Sequence, residues 1–477
     1  LFPMAGAVAG YLTGRKNKSA RDWLVLAVTV VELLGALLLL YFPGATLRLD
    51  GICGLGLTFQ ADGFRMVMAL LTAAVWMMTT LPSRSYFAHA RNRNRYYLFL
   101  LLALGATMGI FLSGDLYTTF IFFEMMSFAS YVWVVQEETP EAISASRSYL
   151  TIGVLGGLVT LMGVFLLYHL AGTLQLDALR DACAAVENRR LLYAAGGCIL
   201  FGFAAKAGMF PLHIWLPKAH PVAPAPASAV LSGVITKAGV LAVLRVIYYL
   251  VGADVLRGTW VQKGFMTLTL ITVFMGSMLA YREPLIKKRL AYSTVSQVSY
   301  VLFGLACMVP TAFEGAMLHV VAHSVIKDAL FLCAGAFIHQ TGKTYVRDLR
   351  GIGKEMPITT WCWTIASLGL IGIPPTGGFV SKWELATGSL QTGLAGFDVI
   401  GPVILIVSAL LTAAYLLPVT INGFFPGSDY DYSGLTNKEG GKLMTVPMIL
   451  LAIGVVVTGV FAQPLINAIA VAAASVL

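Results

Sequence analysis

The feature that most constrains this chain is a series of apolar stretches, each about 20 residues long, that recurs along all 477 residues. A helix of that length crosses the hydrocarbon layer of a bilayer, which is roughly 30 Å thick. Only 12% of the residues are charged, about half of the fraction usual in soluble proteins. The short alternating strands of an outer-membrane barrel are not seen in the sequence. The sequence therefore predicts an all-α polytopic membrane protein.

Fourteen of these stretches are candidate transmembrane helices. They cover residues 1–13, 23–42, 63–82, 96–113, 115–135, 143–171, 191–216, 223–250, 261–280, 290–307, 311–339, 358–391, 398–425 and 443–473. The first stretch is too short to span alone, and residue 1 is leucine, so we expect some N-terminal residues to be missing. A cleaved signal peptide is a weaker alternative, because the flanks lack a small-residue cleavage pattern.

The basic residues outside these stretches indicate an orientation in the membrane. The net charge of +9 does not come from one basic patch, so we expect no nucleic-acid partner. Of the Lys and Arg residues outside the predicted helix interiors, 20 lie in one set of alternating loops and 7 in the other. Cytoplasmic loops carry the excess of Lys and Arg. The sequence therefore predicts a protein of the cell membrane with basic cytoplasmic loops and both termini outside.

Signatures of a bound cofactor are missing from the sequence. The six cysteines are scattered without a C-x-x-C pair, which disfavours an iron–sulfur cluster, a zinc site and a disulfide framework. No Gly-rich phosphate loop follows a strand, and no His/Glu metal signature is found. We expect this chain to hold no cofactor and no metal, and to have no catalytic centre of its own.

A group of ionisable residues lies inside the predicted helices. They are Glu124, Lys206, Lys237, Arg245, His319, His323, Lys327 and Lys382. Arg245 is near the outer end of its helix, and we expect its side chain to extend to the membrane surface. Each of the others costs at least about 2.5–3.5 kcal/mol at bilayer depth. Polar contacts between packed helices are the structural alternative, but this many groups favour a path for ions.

The spacing of three of these groups supports a path. His319, His323 and Lys327 follow one another at intervals of four residues, which places them along one face of a helix. Three titratable groups on one face lie close to hydrogen-bonding reach if water fills the gaps between them.

Two predicted helices are interrupted by proline close to a lysine. Pro211 follows Lys206, and Pro374 and Pro375 precede Lys382. Proline removes a helical hydrogen bond, and non-helical backbone at membrane depth requires a protein-buried or hydrated surrounding. Paired interruptions of this kind indicate inverted repeats with an ion site. We predict four regions: 1–95 with three helices and an outer hairpin, a five-helix repeat in 96–250, its inverted counterpart in 261–425, and a last helix in 426–477.

Several long motifs carry a resemblance to a known family. They are "FFEMMSFASY", "FAAKAGMFPLHIWLPKAHPVAPAPASAVLSGVITKAG", "KRLAYSTVSQVSYVLFGLA" and "HVVAHSVIKDALFLCAGA". With these motifs the chain resembles the antiporter-like subunits of the respiratory complex I superfamily, which includes Mrp-type cation/proton antiporters and membrane-bound hydrogenases. The resemblance runs from about Asp62 to Phe425. It is greatest to the D-type Mrp subunit and its complex I-like counterparts.

The resemblance implies a role for each buried group. Glu124 and Lys206 would form a modulating ion pair, and Lys237 would relay protons to the centre of the membrane. His319 and His323, with Lys327 on the same face, would continue the relay. Lys382 would be the gate towards the outside. His220, in the family's H-x-x-A-P stretch, would lie near the cytoplasmic mouth. Independently of the resemblance, Arg147 begins a helix on the cytoplasmic side and is a candidate to flank the proton entry.

Three functions remain open from the sequence. The first is a proton-translocating, or alternatively sodium-translocating, subunit of a redox-driven complex. Its partners would be further antiporter-like subunits and iron–sulfur, hydrogenase or quinone-module subunits. The second is a subunit of a non-redox Mrp-type sodium/proton antiporter. The third is a membrane scaffold that conducts nothing, which the number of intramembrane charges disfavours.

Overall fold

A computed structural model describes residues 1–52, 54–88, 90, 92–431, 433 and 436–476, the side chains of 475 and 476 excepted. In these residues the chain is helical almost throughout, with one two-stranded sheet. The helices are α1 (Phe2–Lys16), α2 (Lys18–Leu39), α3 (Gly63–Tyr86), α4 (Arg93–Leu112), α5 (Leu116–Val134), α6 (Pro140–Ala171), α7 (Leu176–Ala185), α8 (Arg189–Ala207), α9 (Trp215–Val222), α10 (Ala225–Val230), α11 (Thr236–Arg245), α12 (Ala253–Leu256), α13 (Trp260–Arg282), α14 (Ile286–Cys307), α15 (Pro310–Thr341), α16 (Ile352–Glu355), α17 (Pro357–Ile371), α18 (Gly377–Leu390), α19 (Phe397–Phe424), α20 (Lys442–Val460) and α21 (Ala462–Val476).

Eleven helices in the described part of the chain are long and apolar enough to cross a membrane, so the chain is a multi-span membrane protein. The predicted number of fourteen is not confirmed. Helix α1 has only 15 residues, α5 carries Glu124 among several hydroxyl groups, and the twelfth predicted span is divided into α17 and α18. The predicted single helix over 443–473 is wrong, because the chain breaks near Phe461 between α20 and α21.

The most buried span is a composite helix. Helices α10 and α11 are joined by a π-helical segment, Leu231–Ile235, and α11 continues into a second one, Val246–Val251. Together they form one span, Ala225–Val251, that is buried within the chain except near its end, where Tyr249 and Val251 are partly exposed. A π-helical turn interrupts the regular i to i−4 hydrogen bonds and frees backbone groups, often at functional positions. This span therefore provides polar backbone groups in the centre of the molecule.

Both proline-containing regions are interruptions between two helices. Helix α8 ends before Gly208, which has φ +77°, and the chain becomes helical again at Leu212. Helix α17 ends before Gly372, with φ +94°, and α18 begins at Gly377. The carbonyl of Ala205, in the last turn of α8, accepts a 2.8 Å hydrogen bond from the indole nitrogen of Trp215 in addition to one from the amide of Gly208. Neighbouring side chains thus satisfy backbone groups that the break exposes.

The two lysines hold different positions relative to these breaks. Lys206 lies in the last turn before its break, whereas Lys382 lies in the second turn after its own. The two lysines are therefore not at equivalent positions, although each is close to an interruption.

Several elements recur at an offset of 170 residues. Helices α6 and α15 both have 32 residues and begin at Pro140 and Pro310. A β-bridge joins Asp115 to Gln175 after α6, and another joins Leu285 to Tyr345 after α15. Five spans in each half would place the halves in opposite orientations, because an odd number of crossings reverses the chain direction. These correspondences support the predicted repeats 96–250 and 261–425, which remain a prediction.

A small hairpin lies between the second and third helices. Strand β1 (Ala45–Leu49) pairs antiparallel with β2 (Leu57–Ala61). Its second strand contacts the start of α5, where the amide of Thr58 donates 2.9 Å to the hydroxyl of Thr118.

The expectation for Arg245 is wrong. Its guanidinium is 2% exposed and donates hydrogen bonds to the hydroxyls of Ser113, at 2.7 Å, and Thr119, at 2.5 Å. Ser113 lies in the connection between α4 and α5, and Thr119 lies in the first turn of α5. Both are far from Arg245 in sequence, and they satisfy its charge inside the protein. Arg245 therefore fastens α11 to the α4–α5 turn and does not reach the membrane surface.

Candidate ion-translocation site

Lys237 lies at the centre of the molecule, where the π-helical segment passes into α11. Helical side chains lean towards the helix N-terminus, and the Lys237 ammonium accordingly donates 2.5 Å to the carbonyl of Ser232. The same nitrogen lies 2.6 Å from Nδ1 of His323 on α15. Both side chains are buried, at 1% and 0% exposure. Lys237 therefore connects the composite span directly to α15.

The two histidines of α15 extend this connection. The rings of His323 and His319 are stacked, with centroids 5.8 Å apart. Nδ1 of His319 lies 2.9 Å from the hydroxyl of Ser381 on α18, and Nε2 lies 3.1 Å from Oε1 of Gln297 on α14. A neutral imidazole donates with one nitrogen and accepts with the other. Each ring can therefore receive a proton on one side and release it on the other.

Lys382 follows Ser381 and lies at the end of the series. Its ammonium donates to the carbonyls of Leu370, at 2.6 Å, and Ile371, at 3.1 Å, which the break leaves free at the end of α17. It also lies 4.9 Å from the ring centroid of Tyr300, and that ring stacks on His319. A cation at a helix C-terminus is stabilised by the helix dipole. Lys382 thus binds the C-terminal end of α17 across the break, and Ser381 and Tyr300 connect it to His319.

Lys206 and Glu124 do not form a direct ion pair in the described part of the chain. The Lys206 ammonium donates 2.5 Å to the hydroxyl of Tyr149 on α6, and it lies 4.2 Å from the centroid of that ring. The Glu124 carboxylate rests against Gly157, and its Oε1 has no hydrogen-bond partner. The two groups still interact electrostatically. A cavity of ≈ 10 Å³ beside Lys206 has room for about one water.

Lys327 makes its hydrogen bonds to α14, with partners other than the residue there that His319 contacts. Its ammonium donates 2.9 Å to the carbonyl of Leu290 and 2.8 Å to the hydroxyl of Ser293, both on α14. Ser293 in turn accepts 2.7 Å from the hydroxyl of Tyr415 on α19. The predicted stripe therefore divides, with the histidines joined to Lys237 and Lys382, and Lys327 on a side branch.

The two residues expected at the cytoplasmic mouth are in different surroundings. His220 is fully buried, stacks on Phe331 at 4.8 Å, and has no hydrogen-bond partner on either ring nitrogen. Arg147 is exposed near the start of α6. A cavity of ≈ 340 Å³ lies beside the segment that follows His220, lined among others by Pro221, Glu137 and Lys287; neither His220 nor Arg147 lines it.

Sequence reasoning missed several members of the site. Asp328 is 0% exposed, and both its carboxylate oxygens lack a hydrogen-bond partner. The signal for it is a carboxylate within an apolar helix, but its neighbour Lys327 drew attention instead. Tyr149, Gln297 and Ser381 are common residues of helical spans, so only the folded chain shows that they contact the lysine and the histidine. Lys287, assigned to a loop region, is buried and donates 3.0 Å to the carbonyl of Pro221.

The central groups form one continuous series of contacts. The series Lys237, His323, His319, Ser381 and Lys382 crosses from α11 through α15 to α18 by hydrogen bonds and ring contacts. Each of its titratable members can gain or lose a proton. No group of three or more His, Cys, Asp or Glu side chains that could hold a metal ion occurs among the residues that the structure describes.

The fold and this buried series define an antiporter-like membrane subunit. The chain belongs to the family described as "NADH:quinone oxidoreductase/Mrp antiporter, TM", whose sequence profile matches residues 113–419. It is 34% identical over 388 residues to NADH-quinone oxidoreductase subunit N of Desulforudis audaxviator, covering 79% of this chain and 76% of the relative. It is 31% identical over 410 residues to the D-type subunit of the Na⁺/H⁺ antiporter of Alkalihalophilus pseudofirmus, covering 86% and 81%.

Solved structures share the fold. A chain of the membrane-bound sulfane sulfur reductase, described as an archaeal respiratory membrane complex, superimposes with a TM-score of 0.89 and 24% identity over 100% of this chain and 96% of that chain. A chain of the Mrp complex from Dietzia sp. DQ12-45-1b gives a TM-score of 0.85 and 22% identity over 99% and 97%. The interrupted, many-helix architecture is therefore common to both kinds of complex.

Proposed function

We propose that this chain is a proton-translocating, antiporter-like subunit of a multisubunit membrane complex. The observation that carries the proposal is the contact series from Lys237 through His323 and His319 to Ser381, with the first link at 2.6 Å and the last at 2.9 Å. Titratable groups buried this deeply are costly and are retained chiefly for ion pathways.

The first step of the series is transfer between Lys237 and His323. When the Lys237 ammonium gives its proton to Nδ1, the charge moves to the imidazole, and His323 Nε2 is free of other hydrogen bonds. His319 is stacked on the charged ring and not bonded to it, so this step requires a bridging water or a ring rotation. Ser381 then connects His319 to the neighbourhood of Lys382, the gate towards the outside.

Lys206 and Glu124 regulate this series from the other half of the chain. In the structure Lys206 is held by Tyr149, and Glu124 is unpaired on one oxygen. Approach of the carboxylate would keep the proton on Lys206, and its withdrawal would release it, because an opposite charge nearby favours the charged form. His220 and Arg147 would serve proton uptake, and the cavity that Glu137 and Lys287 line begins at Pro221, directly after His220.

Replacing Lys237 tests this function. In Lys237→Gln the amide keeps a donor for the Ser232 carbonyl but cannot carry a proton, so the complex should assemble while transport falls by at least about a hundredfold. Proton uptake into vesicles containing the complex, driven by its own energy source, is the measurement. The exposed Lys263→Ala on α13 is the control. Wild-type transport by Lys237→Gln would remove the series from the pathway. Repeating the assay with and without sodium identifies the ion.

The complex is proposed to be redox-driven, with further antiporter-like subunits and iron–sulfur, hydrogenase or quinone-module partners. The similarity to subunit N of an NADH-quinone oxidoreductase supports this reading. The similarity to the D-type subunit of a Na⁺/H⁺ antiporter supports the alternative, a non-redox Mrp-type complex. Purification of the complex under mild detergent separates them: redox subunits among the co-purifying chains support the first, and small antiporter subunits alone support the second.

The proposed location is the cell membrane, with both ends of the sequence outside. The excess of Lys and Arg in one set of loops supports this orientation. A cysteine introduced at exposed Lys354 should be shielded from an impermeant reagent in whole cells, and one at exposed Lys263 should react.

A further inference from the structure

The setting of Asp328, which is fully buried, shares three features with that of Glu124, which is partly buried. Each carboxylate rests against a glycine of a neighbouring helix, Glu124 on Gly157 and Asp328 on Gly233, where an added Cβ would overlap the carboxylate. Each has at least one oxygen without a hydrogen-bond partner. Each also interacts electrostatically with a buried lysine, Glu124 with Lys206 and Asp328 with Lys237.

The position of Gly233 brings this carboxylate within reach of Lys237. Gly233 belongs to the π-helical segment and stands about one turn before Lys237. The lysine side chain already returns over this turn, because its ammonium donates to the carbonyl of the adjacent Ser232. The Lys237 ammonium and the Asp328 carboxylate therefore lie beside the same turn of the composite span.

The unpartnered state of Asp328 is costly for an anion. A buried carboxylate without hydrogen bonds or a paired cation loses its hydration without compensation. Two arrangements remove this cost: a proton on the carboxyl group, or the Lys237 ammonium beside it. In the first, Lys237 remains in contact with His323, as the structure shows at 2.6 Å. In the second, that contact is broken.

We propose that Asp328 is the switching partner of Lys237, which decides whether the lysine can pass its proton to His323. The two arrangements interconvert by one proton: after the Lys237 ammonium gives its proton to Nδ1 of His323, the neutral carboxyl group of Asp328 protonates the Lys237 amine, and the resulting carboxylate draws the new ammonium away from the imidazole. No other atom or electron is exchanged. This role rests on the proposed function, and it adds a second regulatory carboxylate and lysine to the proposed couple of Glu124 and Lys206.

Two variants test the switch in the intact complex reconstituted in vesicles. Asp328→Asn keeps the shape of the side chain and removes its charge, so coupled proton transport should fall by at least about tenfold. Gly233→Ala keeps the carboxylate but displaces it from its seat, and should produce a loss of the same size. Gly197→Ala is the matched control, because a Cβ there meets nothing within 4 Å. If the Asp328→Asn complex does not assemble, transport by Gly233→Ala tests the switching role of Asp328.

Infrared difference spectroscopy gives a readout that a structural role would not change. On energising the wild-type complex, a carboxylic-acid C=O band that shifts in D₂O should appear or disappear, and it should be absent in Asp328→Asn. Wild-type transport by both variants, with Lys237→Gln inactive, would overturn the switch and leave the proposed function intact. Wild-type transport by Lys237→Gln would overturn the proposed function itself.

Discussion

Lys206 and Lys237 differ in what satisfies their ammonium groups. Lys206 relies on one phenolic hydroxyl and on the faces of two aromatic rings, Tyr149 and Trp215. Lys237 has a carbonyl and an imidazole. An aromatic face attracts a cation without offering it a place to leave its proton. Lys206 is thus held where it is, whereas Lys237 is bonded to a group that can accept its proton.

Tyr149→Phe should expose this difference. The change removes the hydroxyl that binds Lys206 and leaves the ring in place, so the complex should assemble normally. A hydrogen bond to a charged group contributes roughly 1.5–3 kcal/mol, and we expect transport in vesicles to fall by about tenfold. Tyr168→Phe, at an exposed position of the same helix, is the control. Equal transport by the two variants would show that the Tyr149 hydroxyl does not contribute to the function of Lys206.

At the level of secondary-structure elements, close packing of two helices positions Lys206 and Tyr149. Helices α6 and α8 meet at Gly156 and Gly202, where a Cβ on Gly202 would overlap the backbone oxygen of Gly156 and the hydroxyl of Thr160. Small residues allow helix backbones to approach closely within a membrane. This contact fixes α8, and therefore Lys206, against the helix that carries Tyr149.

Gly202→Ala should weaken this packing. Forcing a methyl group into the contact costs about 1–3 kcal/mol, so the apparent melting temperature of the complex in detergent should fall. Gly197→Ala lies one to two turns earlier in α8 and faces open space. It should leave the melting temperature unchanged or raise it, because alanine favours a helix over glycine. An unchanged melting temperature in Gly202→Ala would show that the helices can separate freely.

At the scale of the whole molecule, the sequence was sufficient for the family and the multi-span membrane fold, and insufficient for contacts between distant segments. Hydropathy identifies spans because each is local. The partners of Arg245 lie over 120 residues away, so its position near a helix end gave the wrong expectation. The π-helical turn at Leu231–Ile235 cannot be recognised from a 3.6-residue hydrophobic pattern. The Asp328 carboxylate packs against Gly233 of that turn, so its position could not be predicted either. Tyr149 beside Lys206 was not foreseen, because aromatic residues are frequent in membrane helices.

The two 32-residue helices, α6 and α15, have a consequence for how the protein fits its lipids. At 1.5 Å per residue each is about 48 Å long, well beyond the roughly 30 Å of hydrocarbon that it crosses. Such helices must tilt or extend beyond the hydrocarbon layer, and the tilt angle depends on the thickness of the bilayer. Since α15 carries both histidines and Asp328, a change in acyl-chain length would shift these groups against Lys237 and Ser381. Transport should therefore pass through an optimum as vesicles are made from lipids of increasing chain length.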